Sequence, residues 1–135
     1  MKEHTIEGYK SDLYIEDTNT IVEIKSILCF DEEAAFPTVY SQRAISQLLK
    51  ICLLLDKGYN VYYVLVSLNS NVKRIILNTM ITDFWEVFNQ CLNKGMKVKG
   101  VSLKIKNEEP VVCSNTTIII EPSTHVCLSR VDDNE

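Results

Sequence analysis

The alternation of apolar and polar residues changes its period several times along the chain. Two short alternating runs, residues 11–16 and 20–28, are separated by the turn-forming residues Asp17, Thr18 and Asn19. This pattern predicts a β-hairpin. Residues 29–40, which carry an acidic run and a proline, are predicted to form a loop.

The middle of the chain alternates between helix and strand patterns. Apolar residues at helical spacing predict a helix from Ser41 to Lys57, which Gly58 would end. The nearly continuous apolar run 60–68 predicts a strand that is buried on both faces. Because a helix joins this strand to the second strand of the hairpin, we expect the two strands to be parallel neighbours. A second amphipathic helix is predicted from Thr79 to Lys94.

Two further strands are predicted in the last third of the chain. One runs from Val98 to Ile105, with a bulge at Gly100 where the apolar parity changes, and the other from Val111 to Glu121. Residues 122–135 are predicted to be a flexible tail. Since no repeat or second apolar pattern occurs, we expect residues 1–121 to form one α/β domain, a mixed β-sheet flanked by two main helices.

The composition indicates the cellular compartment of the protein. The 135 residues, 46% of them hydrophobic, suffice for a single core. Five cysteines without a Cys-x-x-Cys pair indicate buried thiols in a reducing compartment. No segment resembles a signal peptide or reaches the roughly 20 apolar residues that a spanning helix needs. We therefore expect a cytoplasmic protein without a membrane partner.

Charge and metal-ligand content restrict the possible functions. A formal net charge of -4 argues against non-specific coating of DNA, because such binding relies on Lys and Arg at phosphates, but it leaves room for a local basic groove. With two histidines and no Cys-x-x-Cys, a zinc site is not expected. Any metal would therefore be held by carboxylates.

One short motif places charged groups together. Glu23-Ile24-Lys25 is the single Glu-x-Lys or Asp-x-Lys sequence of the chain. In a strand, Glu23 and Lys25 share one face and Ile24 points the opposite way. A hairpin that turns at residues 17–19 brings Asp12 opposite or diagonal to Glu23, with Cβ atoms roughly 5 to 8 Å apart. The pattern predicts that two carboxylates and one amine converge on a solvent-reachable patch.

This patch has a chemical use. Mg²⁺ or Mn²⁺ prefers oxygen ligands, so Asp12, Glu23 and the backbone carbonyl of Ile24 could hold one ion. Lys25 could then orient a water molecule or stabilise the transition state of phosphodiester hydrolysis. The simpler alternative is a solvated strand face with a cross-strand ion pair of little energetic value.

The order of the surrounding residues resembles a known family. Residues 11–15 (Ser-Asp-Leu-Tyr-Ile), residues 21–26 (Ile-Val-Glu-Ile-Lys-Ser), Phe36-Pro37 and residues 41–43 (Ser-Gln-Arg) follow one another as in the sugar fermentation stimulation protein A family. The resemblance covers about residues 3–105. It implies a restriction-endonuclease-like fold and DNA binding, since that family carries a PD-(D/E)xK nuclease-like domain after an OB-like domain.

The resemblance also implies roles for single residues. Asp12, Glu23 and Lys25 stand at the three catalytic positions of the superfamily, and Gln42 stands where the family has a supporting Glu. The chain departs from the family at Gln42 and also at Thr38 and Ala44, where the family has Asp and Gly. An amide at position 42 can accept or donate a hydrogen bond but brings no negative charge to a metal.

Basic residues give a candidate nucleic-acid surface. Arg43 near the start of the first helix and Lys97 and Lys99 on a later strand are expected to contact DNA phosphates. The alternatives are a structural ion pair of Arg43 with Asp31 or Glu32, and lysines that protect an exposed edge strand.

Two functional classes stay open. The chain is expected to be either a metal-dependent DNA nuclease or a non-catalytic DNA-binding or regulatory module that keeps the nuclease fold. The family's OB-like domain and leading helix have no counterpart in these 135 residues. We therefore expect one sheet face to be under-covered and a homodimer to cover it.

Overall fold

A computed structural model describes residues 4–29, 31–112 and 118–123. The two helices are α1, Gln42–Asp56, and α2, Thr82–Asn93. The strands in chain order are β1 His4–Ile6, β2 Tyr9–Ser11, β3 Leu13–Ile15, β4 Thr20–Ile27, β5 Glu33–Phe36, β6 Asn60–Ser67, β7 Arg74–Leu77, β8 Lys97–Lys106, β9 Glu109–Val112 and β10 Ile119–Pro122.

The main sheet has five strands in the order β3-β4-β6-β8-β9. Its three central strands are parallel, and β3 and β9 pair antiparallel at the two edges. Glu23, Tyr63 and Val98 lie side by side across the centre. The fold is the mixed α/β arrangement expected from the sequence, and β4 and β6 are the predicted parallel neighbours.

The predicted hairpin forms with the predicted turn. Strands β3 and β4 pair with Leu13 opposite Val22 and Ile15 opposite Thr20. One turn of 3₁₀ helix and Asn19, in the left-handed conformation with φ 55°, reverse the chain. Asparagine tolerates this conformation better than most residues, so the sequence fixes the turn and thereby the pairing.

Helix α1 agrees with its prediction to within one residue at each end. The Ser41 side chain caps it by accepting a hydrogen bond of 3.1 Å from the Ala44 N–H, and Gly58, with φ 97°, follows its end. Helix α2 begins at Thr82, three residues later than predicted. Each helix lies in a crossover between parallel strands of the main sheet, and the two pack against each other on the same sheet face.

The core lies between this sheet face and the helices. Phe88 of α2 packs on Tyr63, with the two rings edge to face at 5.3 Å, and Phe84 stacks on Phe88. Phe36 packs on both Tyr63 and Phe84. Because these rings are buried on the helix side, odd-numbered residues of β4 and β6 point into the core.

The opposite sheet face is only partly buried, and the prediction that β6 is buried on both faces is wrong. Side chains of β6 alternate between buried and half-buried, because no helix in the described ranges packs on the second face. We call this surface the open face. Its half-buried apolar residues include Leu13, Val22, Ile24, Tyr62, Val64, Val66 and Val101.

A second sheet of three parallel strands, in the order β10-β7-β5, was not predicted. Strand β5 occupies part of the predicted loop 29–40, and β7 lies between β6 and α2. Ala34 of β5 and Ile75 of β7 are buried in the core. Each strand has only four residues, which is too short for a period of two to be visible.

Two predictions about the C-terminal third are also wrong. Strand β8 pairs with β6 without interruption through Gly100, so there is no bulge. A side chain is absent there because Ile118 packs over the backbone, and a Cβ atom would lie 2.9 Å from the Ile118 Cγ2. The single predicted strand 111–121 is instead divided between β9 and β10, and residues 113–117 lie outside the described residues.

The predicted tail falls largely outside the described residues, which end at Ser123. Within those residues, neither helix is long and apolar enough to cross a lipid bilayer.

Candidate active site

Strand β4 places Glu23 and Lys25 on the sheet face that the helices cover. The Lys25 Nζ lies 3.1 Å from the Glu23 Oε2. Glu23 is only 3% exposed, whereas the Lys25 side chain is 25% exposed. A buried carboxylate needs charged or hydrogen-bonding partners, and the ammonium group of Lys25 is one of them.

Tyr9 of β2 is the second partner of this carboxylate. Its hydroxyl donates a hydrogen bond to the Glu23 Oε1. Burial raises the pKa of Tyr9, and the hydrogen bond to Glu23 raises it further because it favours the neutral phenol. Both oxygens of Glu23 therefore have a donor, one neutral and one positively charged.

Asp12 is the residue that joins β2 to β3, and its side chain reaches strand β4. It immediately precedes β3, whose first residue, Leu13, lies opposite Val22 of β4. The Asp12 Oδ2 accepts a hydrogen bond of 2.8 Å from the backbone N–H of Ile24. The negative charge of Asp12 also raises the pKa of Tyr9, although less than burial and Glu23 do. Asp12, Glu23 and Lys25 thus form one cluster, which we call the Asp12–Glu23–Lys25 cluster.

Helix α1 reaches this cluster through Gln47. The Gln47 Oε1 accepts a hydrogen bond of 2.8 Å from the Lys25 Nζ. The ammonium group is therefore held between Glu23 and a neutral acceptor. Since the amide cannot take up a proton, it orients the amine without changing the charge of the cluster.

A cavity of about 320 Å³ opens beside Lys25. It lies between β4, β5, the Phe36-Pro37 turn and the start of α1. Its walls are mainly apolar and include Leu28, Phe36, Val39, Tyr63 and Phe84. Lys25 thus connects the buried carboxylate of Glu23 to a space large enough for a small organic group.

Comparison with protein families matches residues 1–109 to the family described as the "Sugar fermentation stimulation protein RE domain". The chain belongs to this sugar fermentation stimulation protein family. A structure similar to this chain is that of SfsA from Pyrococcus furiosus in complex with Ca²⁺, with a TM-score of 0.64 and 18% sequence identity. The similarity covers 76% of this chain and 45% of that chain, so this chain spans less than half the length of the SfsA structure. A comparison with curated proteins found no match.

The structure brings together three of the residues that the sequence nominated, but not in the exposed patch that was expected. Lys25 contacts Glu23, and Asp12 contacts the backbone of Ile24, the residue between them. The expected solvent access is wrong for Glu23, which is 3% exposed and whose oxygens contact Tyr9 and Lys25. Only the Lys25 side of the cluster is open to the cavity.

The nominated helix residue lies elsewhere. Gln42 is exposed on the first turn of α1 and accepts a hydrogen bond of 2.6 Å from the Tyr40 hydroxyl. Gln47 is the α1 side chain that contacts Lys25. The sequence held a signal for this: Gln47 follows Ala44 by three residues and precedes Ile51 by four, so it is a polar residue on the inward face of the helix.

The basic residues are spread over different surfaces. Arg43 is exposed at the start of α1, and no ion pair with Asp31 or Glu32 forms among the described residues. Lys97 and Lys99 are exposed on the open face, because they pair beside Tyr62 and Val64 rather than beside Tyr63. They therefore lie on the sheet face opposite Glu23 and Lys25.

The donor set of the cluster fits a hard divalent ion in part. Asp12 and Glu23 supply two carboxylates, and the described residues contain no group of three or more His, Cys, Asp and Glu side chains able to hold a metal. The N–H and C=O of one strand residue point to the same edge, so the Ile24 carbonyl is directed to the side on which Asp12 binds its N–H. Two carboxylates, one carbonyl and water suit Mg²⁺.

Proposed function

We propose that this protein binds DNA and hydrolyses its phosphodiester bonds with the help of Mg²⁺ or Mn²⁺ at the Asp12–Glu23–Lys25 cluster. The observation that carries the proposal is the arrangement of charged groups along β4: the Asp12 Oδ2 accepts a hydrogen bond of 2.8 Å from the N–H of Ile24, and the Lys25 Nζ lies 3.1 Å from the Glu23 Oε2. The membership of the sugar fermentation stimulation protein family and the nuclease-like fold support it.

Asp12, Glu23 and the backbone carbonyl of Ile24 would hold the ion. The ion would supply positive charge for a phosphoryl oxygen and would lower the pKa of a water molecule. The Ca²⁺ in the structure of the Pyrococcus furiosus protein, which shares the fold, supports the choice of an oxygen-liganded divalent ion.

The remaining residues of the site position or stabilise charge. Lys25 reaches the cavity and is the group best placed to stabilise a negatively charged phosphoryl oxygen or to orient the attacking water. Gln47 holds the Lys25 amine in place, and Tyr9 holds the Glu23 carboxylate. Gln42, 2.6 Å from Tyr40, would act only through contacts with the nucleic acid.

DNA contacts away from the cluster are proposed for three basic residues. Arg43 stands at the positive end of α1, on a helix whose first turn has no acidic residue, and would bind a backbone phosphate there. Lys97 and Lys99 would contact a different stretch of backbone, because they lie on the open face. Replacing both by Ala should weaken DNA binding at every sequence and reduce its salt dependence.

A second candidate function is a DNA-binding or regulatory module without catalysis. The observation that favours it is the enclosure of Glu23, which is 3% exposed and whose two oxygens already accept from Tyr9 and pair with Lys25. A metal must share these oxygens with the two donors. The two candidates differ in one requirement, since only the nuclease needs the ion.

Metal titration with matched variants separates the two functions. At ten times its dissociation constant, Mn²⁺ should stabilise the wild type by about 1.4 kcal/mol and raise the Tm by a few degrees. Glu23→Gln should abolish this shift, whereas Glu109→Gln, an exposed carboxylate on β9, should keep it. Lys25→Ala should keep the metal shift and lower DNA cleavage by roughly 10² to 10⁴.

The opposite result would favour the second candidate. If millimolar Mn²⁺ leaves the Tm of the wild type unchanged, and single- and double-stranded DNA remain intact after incubation, the nuclease is excluded and the non-catalytic module is favoured.

Two expectations from the sequence stay predictions. A homodimer would cover the open face, and light scattering at micromolar concentration that gives the monomer mass would contradict it. A cytoplasmic location is the other one, and it rests on the five cysteines without a Cys-x-x-Cys pair.

A further inference from the structure

The cavity beside Lys25 has features that the hydrolysis of a phosphodiester does not require. Its volume of about 320 Å³ exceeds what one phosphate needs, and its walls are mainly aromatic and aliphatic, with Lys25 as the charged residue of the lining. Phe36 and Phe84 meet edge to face at 5.8 Å at its base. Such a space favours a flat, largely apolar group over a phosphate or a metal.

The cavity also contains an unused hydrogen-bonding group. Tyr63 lines it and is 1% exposed, yet its hydroxyl makes no hydrogen bond within the described part of the chain. Among the described residues, the buried side-chain oxygen without a partner is that of Ser102 and not that of Tyr63, so the Tyr63 hydroxyl is accessible from the cavity and available to a ligand. Burial, together with the nearby charge of Glu23, raises the pKa of Tyr63, and the phenol therefore remains a hydrogen-bond donor.

Large apolar side chains stand exposed at the rim. Leu28 is 80% exposed and Val39 is 68% exposed, and both line the cavity. Isolated exposed apolar residues are ordinary, but two at the mouth of one apolar cavity indicate a surface that is covered when a ligand is bound.

Positive charge is confined to one side of the cavity. Lys25 contributes an ammonium group, and the N-terminal turn of α1, capped by Ser41, contributes the positive end of a helix. The ligand should therefore combine an apolar ring with an attached anion. A nucleotide has this combination.

We propose that the cavity holds one nucleobase that is unstacked from its strand, with its adjoining phosphate at Lys25. The base would lie against Phe36 and between the rim residues Leu28 and Val39, and its polar edge would accept a hydrogen bond from Tyr63. A base in a duplex cannot enter without losing its pair and its stacking, so the substrate class is single-stranded or frayed DNA. The inference rests on the proposed function, because it assigns the substrate of the same site.

Binding of a single strand that contains 2-aminopurine tests the inference, with the full chain and with Ca²⁺ in place of Mn²⁺. Fluorescence of the 2-aminopurine should change on binding, because the base leaves its stacked neighbours. Tyr63→Phe should weaken binding by roughly two- to tenfold, since it removes one neutral hydrogen bond. The matched control is Tyr62→Phe, the same change one residue along on the open face, which should bind as the wild type does.

A variant that fills the cavity gives a second measurement. Ala35 is exposed and lines the cavity, so Ala35→Phe should fold normally, which its Tm checks, and should weaken binding by about tenfold or more. Ser46→Phe, on the exposed side of α1 and not in the cavity wall, should leave binding unchanged.

The outcomes separate this inference from the proposed nuclease. If Mn²⁺ raises the Tm and DNA is cleaved, but Tyr63→Phe and Ala35→Phe bind the strand as the wild type does, the base site is excluded and the nuclease stands. If the two variants weaken binding but Mn²⁺ has no effect, the base site stands without the nuclease. A wild type that binds no single strand, or binds it with unchanged 2-aminopurine fluorescence, overturns the base site whatever the metal does.

Discussion

The backbone N–H of Ile24 donates a hydrogen bond of 2.8 Å to the Oδ2 of Asp12. Strand β3 begins at Leu13, opposite Val22, so no residue of β3 pairs with Ile24. The Asp12 side chain supplies the hydrogen-bond acceptor that a paired strand would otherwise supply to the Ile24 N–H. Asp12 therefore has a structural role in extending the hairpin, separate from any role in binding a metal.

Two variants of Asp12 should separate these roles. Asp12→Asn keeps an oxygen acceptor for the Ile24 N–H but removes the charge, so we expect a small change in the free energy of unfolding and the loss of the Mn²⁺ response. Asp12→Ala removes both and should also destabilise the protein by about 1 kcal/mol. Urea denaturation with and without Mn²⁺ measures both effects. An Asn variant that keeps the full metal response would remove Asp12 from the metal site.

The close packing of Ile118 and Ile120 on Gly100 can be tested by mutation. A Cβ at this position would meet the Ile118 Cγ2 at 2.9 Å and the Ile120 Cδ1 at 3.3 Å. Gly100→Ala should therefore destabilise the protein by about 1 to 3 kcal/mol through overpacking. In an Ile118→Ala background the same change should cost less, because the clashing side chain is shorter. Equal costs in the two backgrounds, measured by denaturation, would contradict the contact.

The parts of the fold that follow from local patterns were predictable. Asp17 to Asn19 indicated the turn, and the turn set the hairpin pairing that brings Asp12 to Glu23. Helix α1 had both a capping Ser41 and a terminal Gly58. These signals lie within a few residues of the elements they determine, so no tertiary information was needed.

The rest depended on contacts between distant residues. The alternation of β6 gave no indication that one face lacks a covering helix, because Tyr62, Val64 and Val66 are as apolar as core residues. The absence of a side chain at Gly100 suggested a bulge, whereas its cause is the packing of Ile118, which immediately precedes β10. Tyr9 had no pattern of its own, and its partner Glu23 is 14 residues away.

Alkaline pH should destabilise the protein through its buried tyrosines. Burial raises the pKa of both Tyr9 and Tyr63 above the ordinary value of 10.0, and Glu23 raises both further. Above pH 10 the unfolded chain loses these protons first, so the folded state binds more protons and its stability falls as pH rises. Below pH 10 the two groups are neutral in both states and contribute no slope.

The size of the alkaline effect follows from linkage. Each of the two tyrosines should lower the free energy of unfolding by up to about 1.4 kcal/mol per pH unit above pH 10. Tyr63→Phe should reduce this slope at little cost near neutral pH, since its hydroxyl has no hydrogen bond in the described chain. Urea denaturation on both sides of pH 10 provides the measurement, and an identical slope in Tyr63→Phe and the wild type would contradict the assignment.

The two glutamines of α1 allow a test of which one supports the site. Gln47 accepts a hydrogen bond of 2.8 Å from the Lys25 Nζ, while Gln42 accepts one of 2.6 Å from Tyr40 at the surface. Gln47→Leu should cost about 1 kcal/mol of stability because the ammonium group loses an acceptor in a half-buried place. In a double-mutant cycle with Lys25→Met, Gln47→Leu should show a coupling energy of about 0.5 to 1.5 kcal/mol, and Gln42→Leu should show none. DNA cleavage should fall in Gln47→Leu with the Mn²⁺ shift of Tm intact, since the amide orients Lys25 and does not touch the carboxylates. Coupling of Lys25 to Gln42 instead would support Gln42, the residue that the family resemblance indicated, as the partner of Lys25. It would also require α1 to be shifted along its axis by about one turn relative to the sheet.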